Sequence, residues 1–319
     1  MSFLEILYFI VPTAILYATP LIFTGIGAVF SERSGVIGLG VEGLMIIGAF
    51  TGIFVNLEFY DVFGQNVIWV AILASLVAGA IFSLLIAVAS ITFRADQTVT
   101  GVAINMLALA LTVFLVKIIY QKGQTDMIEA PIRRFEIPVL SDIPFLGPLL
   151  FKDVYSVSIL AFVVAIGAWF VIYKTPFGLR LRAVGEHPMA ADTMGINVAK
   201  IRYIAVMLSG AFAGIGGAVL AHTTSTDFSA STVSGQGFIA IAAMIFGKWH
   251  PLGTLGAALF FGLAQTLSLG GNTIPVIQDI PPVFLQILPY VLTILALAGF
   301  IGKATAPKAS GIPYVKGKR

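Results

Sequence analysis

Few residues in this chain could do chemistry, and their types and spacing exclude most catalysis. The histidines, His187, His222 and His250, are scattered, and no HExxH helix is present. Glu186-His187 lacks the second histidine that a zinc helix needs. Cysteine is absent, which removes thiolate metal sites, disulfides and cysteine nucleophiles. GxSxG does not occur, and neither does GxxxxGK[ST]. Lys248 follows Gly247, but Trp249 comes next and no phosphate loop precedes it. The chain therefore carries no ATP site of its own. What remains are polar side chains in apolar surroundings, where an unpaired group is costly and marks either a path or a structural bond.

Four of these are candidates for a substrate path. Glu42, in Gly40-Val41-Glu42-Gly43, is either a cavity or gate residue or a structural carboxylate paired with backbone or with a cation such as Arg33. Asn105 lies nearer the middle of its apolar run. It could hydrogen-bond a ligand edge, or it could join two helices. Gln236 opens a short apolar piece after Ser231-Thr232-Val233-Ser234-Gly235, where a broken helix would turn backbone donors inward. Gln265 is the fourth. Gln97 and Thr100 start the run that holds Asn105, and Arg94 with Asp96 before it reads as an interfacial ion pair. With 25 phenylalanines, packing and lipid contact account for that residue type.

The elements that position these residues follow from hydropathy. Apolar residues are 58% of the 319 and charged residues 10%, with a mean hydropathy of +1.00. A soluble domain carries about 25% charged residues, so this is an all-α polytopic membrane protein. A span needs roughly 20 apolar residues. Such runs fall at about 6–30, 36–56, 67–91, 97–119, 154–173, 200–222, 251–270 and 283–301, with a shorter piece at Gly237–Gly247. The expectation is a single transmembrane domain over 1–319, with about eight full helices and one short or broken crossing segment. The first run lacks a basic flank and is too long for a cleaved signal, so it reads as a retained span.

Basic loops stay on the cytoplasmic side. With the 174–200 loop inside, 13 of the 18 basic residues fall inside and 5 outside. That puts the C-terminus in the cytoplasm and requires Gly237–Gly247 to cross. The formal charge of +3 is thereby explained by sidedness, and the partner of the surface is membrane lipid, with no nucleic acid. The external loop, about 120–153, reads as a solvated loop with an interfacial turn or as a docking surface. The glycines of Ser209–Ala218 read as helix-packing residues.

The loop Lys174–Arg202 holds one punctuated segment, Glu186-His187-Pro188-Met189-Ala190-Ala191-Asp192-Thr193-Met194-Gly195-Ile196. It predicts a helix of about two turns, with His187 as N-cap, Pro188 first and Gly195 as the left-handed terminator. Ala190 and Ala191 are small and allow close approach by another surface. A helix this short is marginal alone. It is either an interfacial helix resting on its own domain or a coupling helix seated in a soluble partner. Lys174, Arg180, Arg182, Lys200 and Arg202 set the side the loop faces.

These residues resemble a known pattern. Glu186, Ala190, Ala191, Gly195 and Ile196 are similar to the coupling loop of bacterial ABC-importer permeases. SERSGVIGLGVEGLMIIGAF at 31–50, FGLRLRAVGEHPMAADTMGI at 177–196 and GFIAIAAMIFGKWHPLGTLGAALFFG at 237–262 resemble the permease family that serves ribose-type sugars, branched-chain amino acids and nucleosides. The wording is closest to nucleoside permeases that work with a basic-membrane-protein-type lipoprotein receptor, with simple sugars as the alternative. The resemblance implies a bacterial cell-membrane protein that is not an enzyme. It implies a separate ATP-binding subunit holding ATP and magnesium, a second permease such as a paralogue, and an external substrate-binding lipoprotein. It also implies that Glu186, His187, Pro188, Ala190, Ala191, Asp192, Gly195 and Ile196 form the ATPase-coupling site. The rival is an ion-coupled secondary transporter with Glu42 as its ion-linked carboxylate.

Overall fold

The computed structural model describes residues 3–136, 138, 141, 143, 144, 146–270, 284, 287, 291 and 305–316. Long apolar stretches leave the backbone no solvent partner, so it satisfies itself in helices. These are α1 (Phe3–Arg33), α2 (Val41–Phe63), α3 (Val67–Ala87), α4 (Gln97–Tyr120), α5 (Leu146–Leu150), α6 (Ser156–Lys174), α7 (Pro176–Glu186), α8 (Pro188–Thr193), α9 (Val198–Leu220), α10 (Gln236–Phe246) and α11 (Pro251–Gly270). Single π-helical turns extend α3 over 88–92 and α9 over 221–225. The expected span at 283–301 lies outside the described residues apart from three isolated positions.

Among the described residues, five segments are long and apolar enough to cross a membrane, and one of them, 41–92, contains both α2 and α3. α2 is the centre of the bundle: nearly every residue from Val41 to Asn56 is buried, against α9, α3, α4 and α10. The outward faces of α3, α4 and α6 carry exposed Leu73, Ile81, Met106, Phe114 and Val163, as a surface meeting lipid or another membrane subunit requires. The expected span from 36 is corrected. The chain is irregular over 34–40, and α2 starts only at Val41.

Small residues set the closest helix crossings. A Cβ added at Gly48 would lie 2.2 Å from the Gly214 carbonyl oxygen, and one at Gly79 would lie 2.2 Å from that of Gly210. α9 therefore runs with its backbone against both α2 and α3, which is the packing role expected for the Ser209–Ala218 glycines.

The external loop is less free than a solvated loop. Its start is sewn to the chain before α10: Thr125 N–H donates to Phe228 O at 3.0 Å and Ile128 N–H to Thr226 O at 2.9 Å. Asn56 Nδ2 donates to Ala130 O at 2.9 Å, and Thr125, Ile128 and Ala130 are buried. Two-residue strands, β1 (Arg134–Phe135) and β2 (Val154–Tyr155), pair antiparallel, a small departure from the all-α expectation.

Replacing Gly214 with leucine should overpack this crossing by about 1–3 kcal/mol or more. A Cβ added at Gly167 meets nothing within 4 Å, so Gly167→Leu serves as control. Thermal unfolding of the solubilised protein should show a lowered midpoint for the first and no change for the second.

Candidate functional site

Beyond Arg33 the chain turns at Gly35 (φ +89°) and runs without helix to Gly40. Amide and carbonyl groups freed inside an apolar bundle need partners. Side chains supply them. Gln97 Oε1 accepts from Ile37 N–H at 2.8 Å, and Glu32 Oε1 from Gly38 N–H at 3.4 Å. Asn105 donates to Leu39 O at 2.9 Å and accepts from Gly43 N–H at 2.8 Å. Ser31 Oγ donates to Val36 O, and Arg202 Nε to Ser34 O. Asn105 thus joins α4 to the start of α2, with both ends of its amide engaged.

The same segment holds α10 at both ends. Glu42 Oε1 accepts from Gly235 N–H and Oε2 from Gly237 N–H, each at 2.7 Å. A carboxylate there meets the unpaired donors and the positive end of the helix dipole. At the other end, Arg33 Nε donates to Trp249 O at 2.9 Å, and its Nη2 to Tyr173 Oη at 3.1 Å and Lys248 O at 3.4 Å. Trp249 Nε1–H donates to the Glu32 carboxylate. Lys248 and Trp249 both sit at left-handed φ, 55° and 53°, a conformation that non-glycine residues hold only when anchored. His250 stacks on Tyr173 with centroids 4.7 Å apart.

α10 is 11 residues long, about 16 Å, roughly half the hydrocarbon thickness. The irregular residues 226–235 before it reach the external-loop end of the bundle, and the 247–250 turn lies at the α7 end. Segment 226–250 therefore runs the length of the bundle. Gln265 Nε2 donates to Gln236 Oε1 at 2.9 Å, so two path candidates meet where α10 begins. Gln236 is half-buried and Gln265 buried.

The 174–200 loop contains two helices where one was expected. Thr175 caps α7, accepting from Gly178 N–H, with Pro176 first. Gly185 packs so tightly that a Cβ there would lie 2.2 Å from Arg33 O. Glu186 is the last residue of α7 and so stands outside the short helix. That helix, α8, is six residues, shorter than two turns, with His187 as N-cap, Pro188 at its first position and Gly195 at φ +81° beyond its end. Its two alanines face opposite ways: Ala190 is exposed and Ala191 buried against the domain. His187, Met189 and Met194 are also exposed, Ile196 is half-buried, and Asp192 lies 3.9 Å from Lys316 Nζ.

The family model for the branched-chain amino acid transport system permease component matches residues 10–297. The chain belongs to this family. It is a membrane transport component, with no catalytic step assigned to it. It is 61% identical over 319 residues, all of both chains, to the guanosine ABC transporter permease protein NupQ of Bacillus subtilis. It is 50% identical over 318 residues, again all of both, to the nucleoside ABC transporter permease protein NupC of Lactococcus lactis. A solved inward-facing putative metal-chelate type ABC transporter shares the fold at TM-score 0.51 and 14% identity, covering 91% of this chain and 85% of that one.

Glu42 is the structural carboxylate paired with backbone, one of its two expected readings, while Arg33 serves the opposite end of α10. In this permease other sequence expectations change. Arg94 and Asp96 form no ion pair; Asp96 caps α4 by accepting from Thr98 and Val99 N–H. Ala191 is an internal packing residue. Arg202 does more than mark a side: the residue is 1% exposed, and its guanidinium donates to Ser34 O and to Ile312 O in the carboxy-terminal tail. Glu32, Arg33, Gln97 and Trp249 were missed as anchors. The available signal was an acid–base pair ending a long apolar run beside the polar Gly-Lys-Trp-His-Pro turn.

The two alanines should separate by position. Ala191→Arg buries a charge without a partner and should remove most of the folded protein from the membrane. Ala190→Arg should leave abundance and the unfolding midpoint unchanged. Quantitative blotting and thermal unfolding compare them.

Proposed function

We propose that the chain is the permease subunit of an ATP-driven importer for nucleosides, in the plasma membrane of a bacterium. Full-length identity of 61% to a guanosine permease carries this reading, and the 50% nucleoside relative supports it. The fold likeness to an ABC transporter agrees with it.

The domain has about eight full spans, with the α10 segment as a further, broken crossing. The 174–200 loop and the C-terminus face the cytoplasm and the 120–153 loop faces outward, as the 13-to-5 basic bias supports. A separate ATP-binding subunit holds ATP and magnesium and seats α8 through His187, Pro188, Ala190 and Gly195. Glu186, Asp192 and Ile196 belong to the same coupling site and flank that contact. A second permease, as a paralogue, completes the cavity, and an external lipoprotein delivers substrate. Gln236 and Gln265 are the polar pair left for the substrate path, since Glu42 and Asn105 already bond to backbone. ATP-driven closure of the partner moves α8, and the bundle changes which side the cavity faces. No bond of the substrate is made or broken.

The rival reading, ion coupling through Glu42, is disfavoured because both carboxylate oxygens already accept hydrogen bonds.

Uptake of labelled guanosine by cells with the intact system should be competed by purine and pyrimidine nucleosides and not by free ribose. It should persist when the proton gradient collapses with ATP preserved, and Ala190→Arg should end it. Competition by ribose alone would move the substrate to sugars, and loss with the proton gradient would reject the ATP-driven reading.

A further inference from the structure

A cavity of about 550 Å³ opens beside α8. One wall is the turn after α8, with Gly195 and Ile196, and another is the first turn of α9. The π-helical end of α3 brings Arg94 to the rim, and the carboxy-terminal tail brings Tyr314 and Lys316.

The tail is irregular, yet it is pinned along its length. Ala309 N–H donates to Gly185 O at 2.9 Å and Gly311 N–H to Gly35 O at 3.2 Å. Arg202 Nη1 donates to Ile312 O at 3.1 Å. Ala309 is buried. Arg202 is buried, and its guanidinium, bonded to Ser34 O on one side and Ile312 O on the other, ties the tail to the chain after α1. The tail is thus a fixed wall of the cavity.

The rim is cationic. Arg94 is exposed, held at φ 57°, and in no ion pair among the described residues. The Lys316 side chain is 82% exposed, against 24% for Asp192, the acid it faces across 3.9 Å. That leaves Arg94 and the outer side of Lys316 as open cations on either side of a hollow next to the surface where α8 would meet its partner.

We propose that this cavity, walled in part by Tyr314 and Lys316, seats a carboxylate-bearing segment of the ATP-binding subunit, so that the carboxy-terminal tail is part of the docking surface. The inference rests on the ATP-driven reading above. It adds a second contact, electrostatic and distinct from α8. Facing charges of this kind act through complementarity and are screened by salt.

The test uses the full transporter with its ATP-binding subunit. The affinity of that subunit is measured for the wild type, for Arg94→Glu with Lys316→Glu, and for Ala190→Arg, at about 0.1 M and about 1 M salt. The double reversal should weaken binding about tenfold at the lower salt and much less at the higher, with an unchanged unfolding midpoint. Unchanged or tighter binding by the double reversal, while Ala190→Arg weakens it, would overturn the cavity inference and leave the coupling reading standing. If neither variant weakens binding, both fall. Weakening that persists undiminished at high salt would also overturn the inference, because the contact would not be ionic.

Discussion

A backbone that leaves its helix inside an apolar bundle exposes N–H and C=O groups that no water can satisfy, at a cost of several kcal/mol each in hydrocarbon. Among the described residues the chain leaves helix in such surroundings at 34–40 and before α10, and places these breaks against each other. Polar side chains in the spans are accordingly committed to backbone. Gln97, Asn105, Ser31 and Glu32 serve the first break, and Glu42, at the start of α2, serves the second. Scarce polar groups therefore read as braces before they read as binding groups.

The brace also connects distant parts of the molecule. Glu32 and Arg33 end α1 and grip the turn after α10. Arg33 O lies under Gly185, the penultimate residue of α7, which leads directly into α8. Arg202, at the start of α9, reaches Ser34 on one side and the tail on the other. A displacement at α8 therefore meets, within a few residues, the segment that holds α10. Packed cores are barely compressible and have discrete arrangements, so they pass such shifts on instead of absorbing them. That contiguity is what a force-transmitting subunit needs.

Much of this was legible from residue pattern alone. Length of apolar runs placed α1, α3, α4, α6, α9 and α11 to within a few residues, because a span has a fixed minimum length. Pro188 and Gly195 marked α8 because their backbone preferences are local. Thr175-Pro176 carries the same kind of signal for α7 and was passed over in favour of a single loop. Partners across long separations were not legible. Nothing local joins Glu42 to Gly235, Glu32 to Trp249, or Arg202 to Ile312. Nor does sequence say which of two adjacent alanines faces inward, since the roll of a six-residue helix is set by what it packs on.

The central claim is that α10 is one body held from both ends by residues flanking 34–40. Hydrogen–deuterium exchange over 235–249 in the assembled transporter tests it, comparing Glu42→Gln and Glu32→Gln with the wild type. A short helix is marginal once a constraint is lost, so either substitution should raise exchange at both ends of α10. A rise confined to the substituted end, with the other end still fully protected, would contradict the claim.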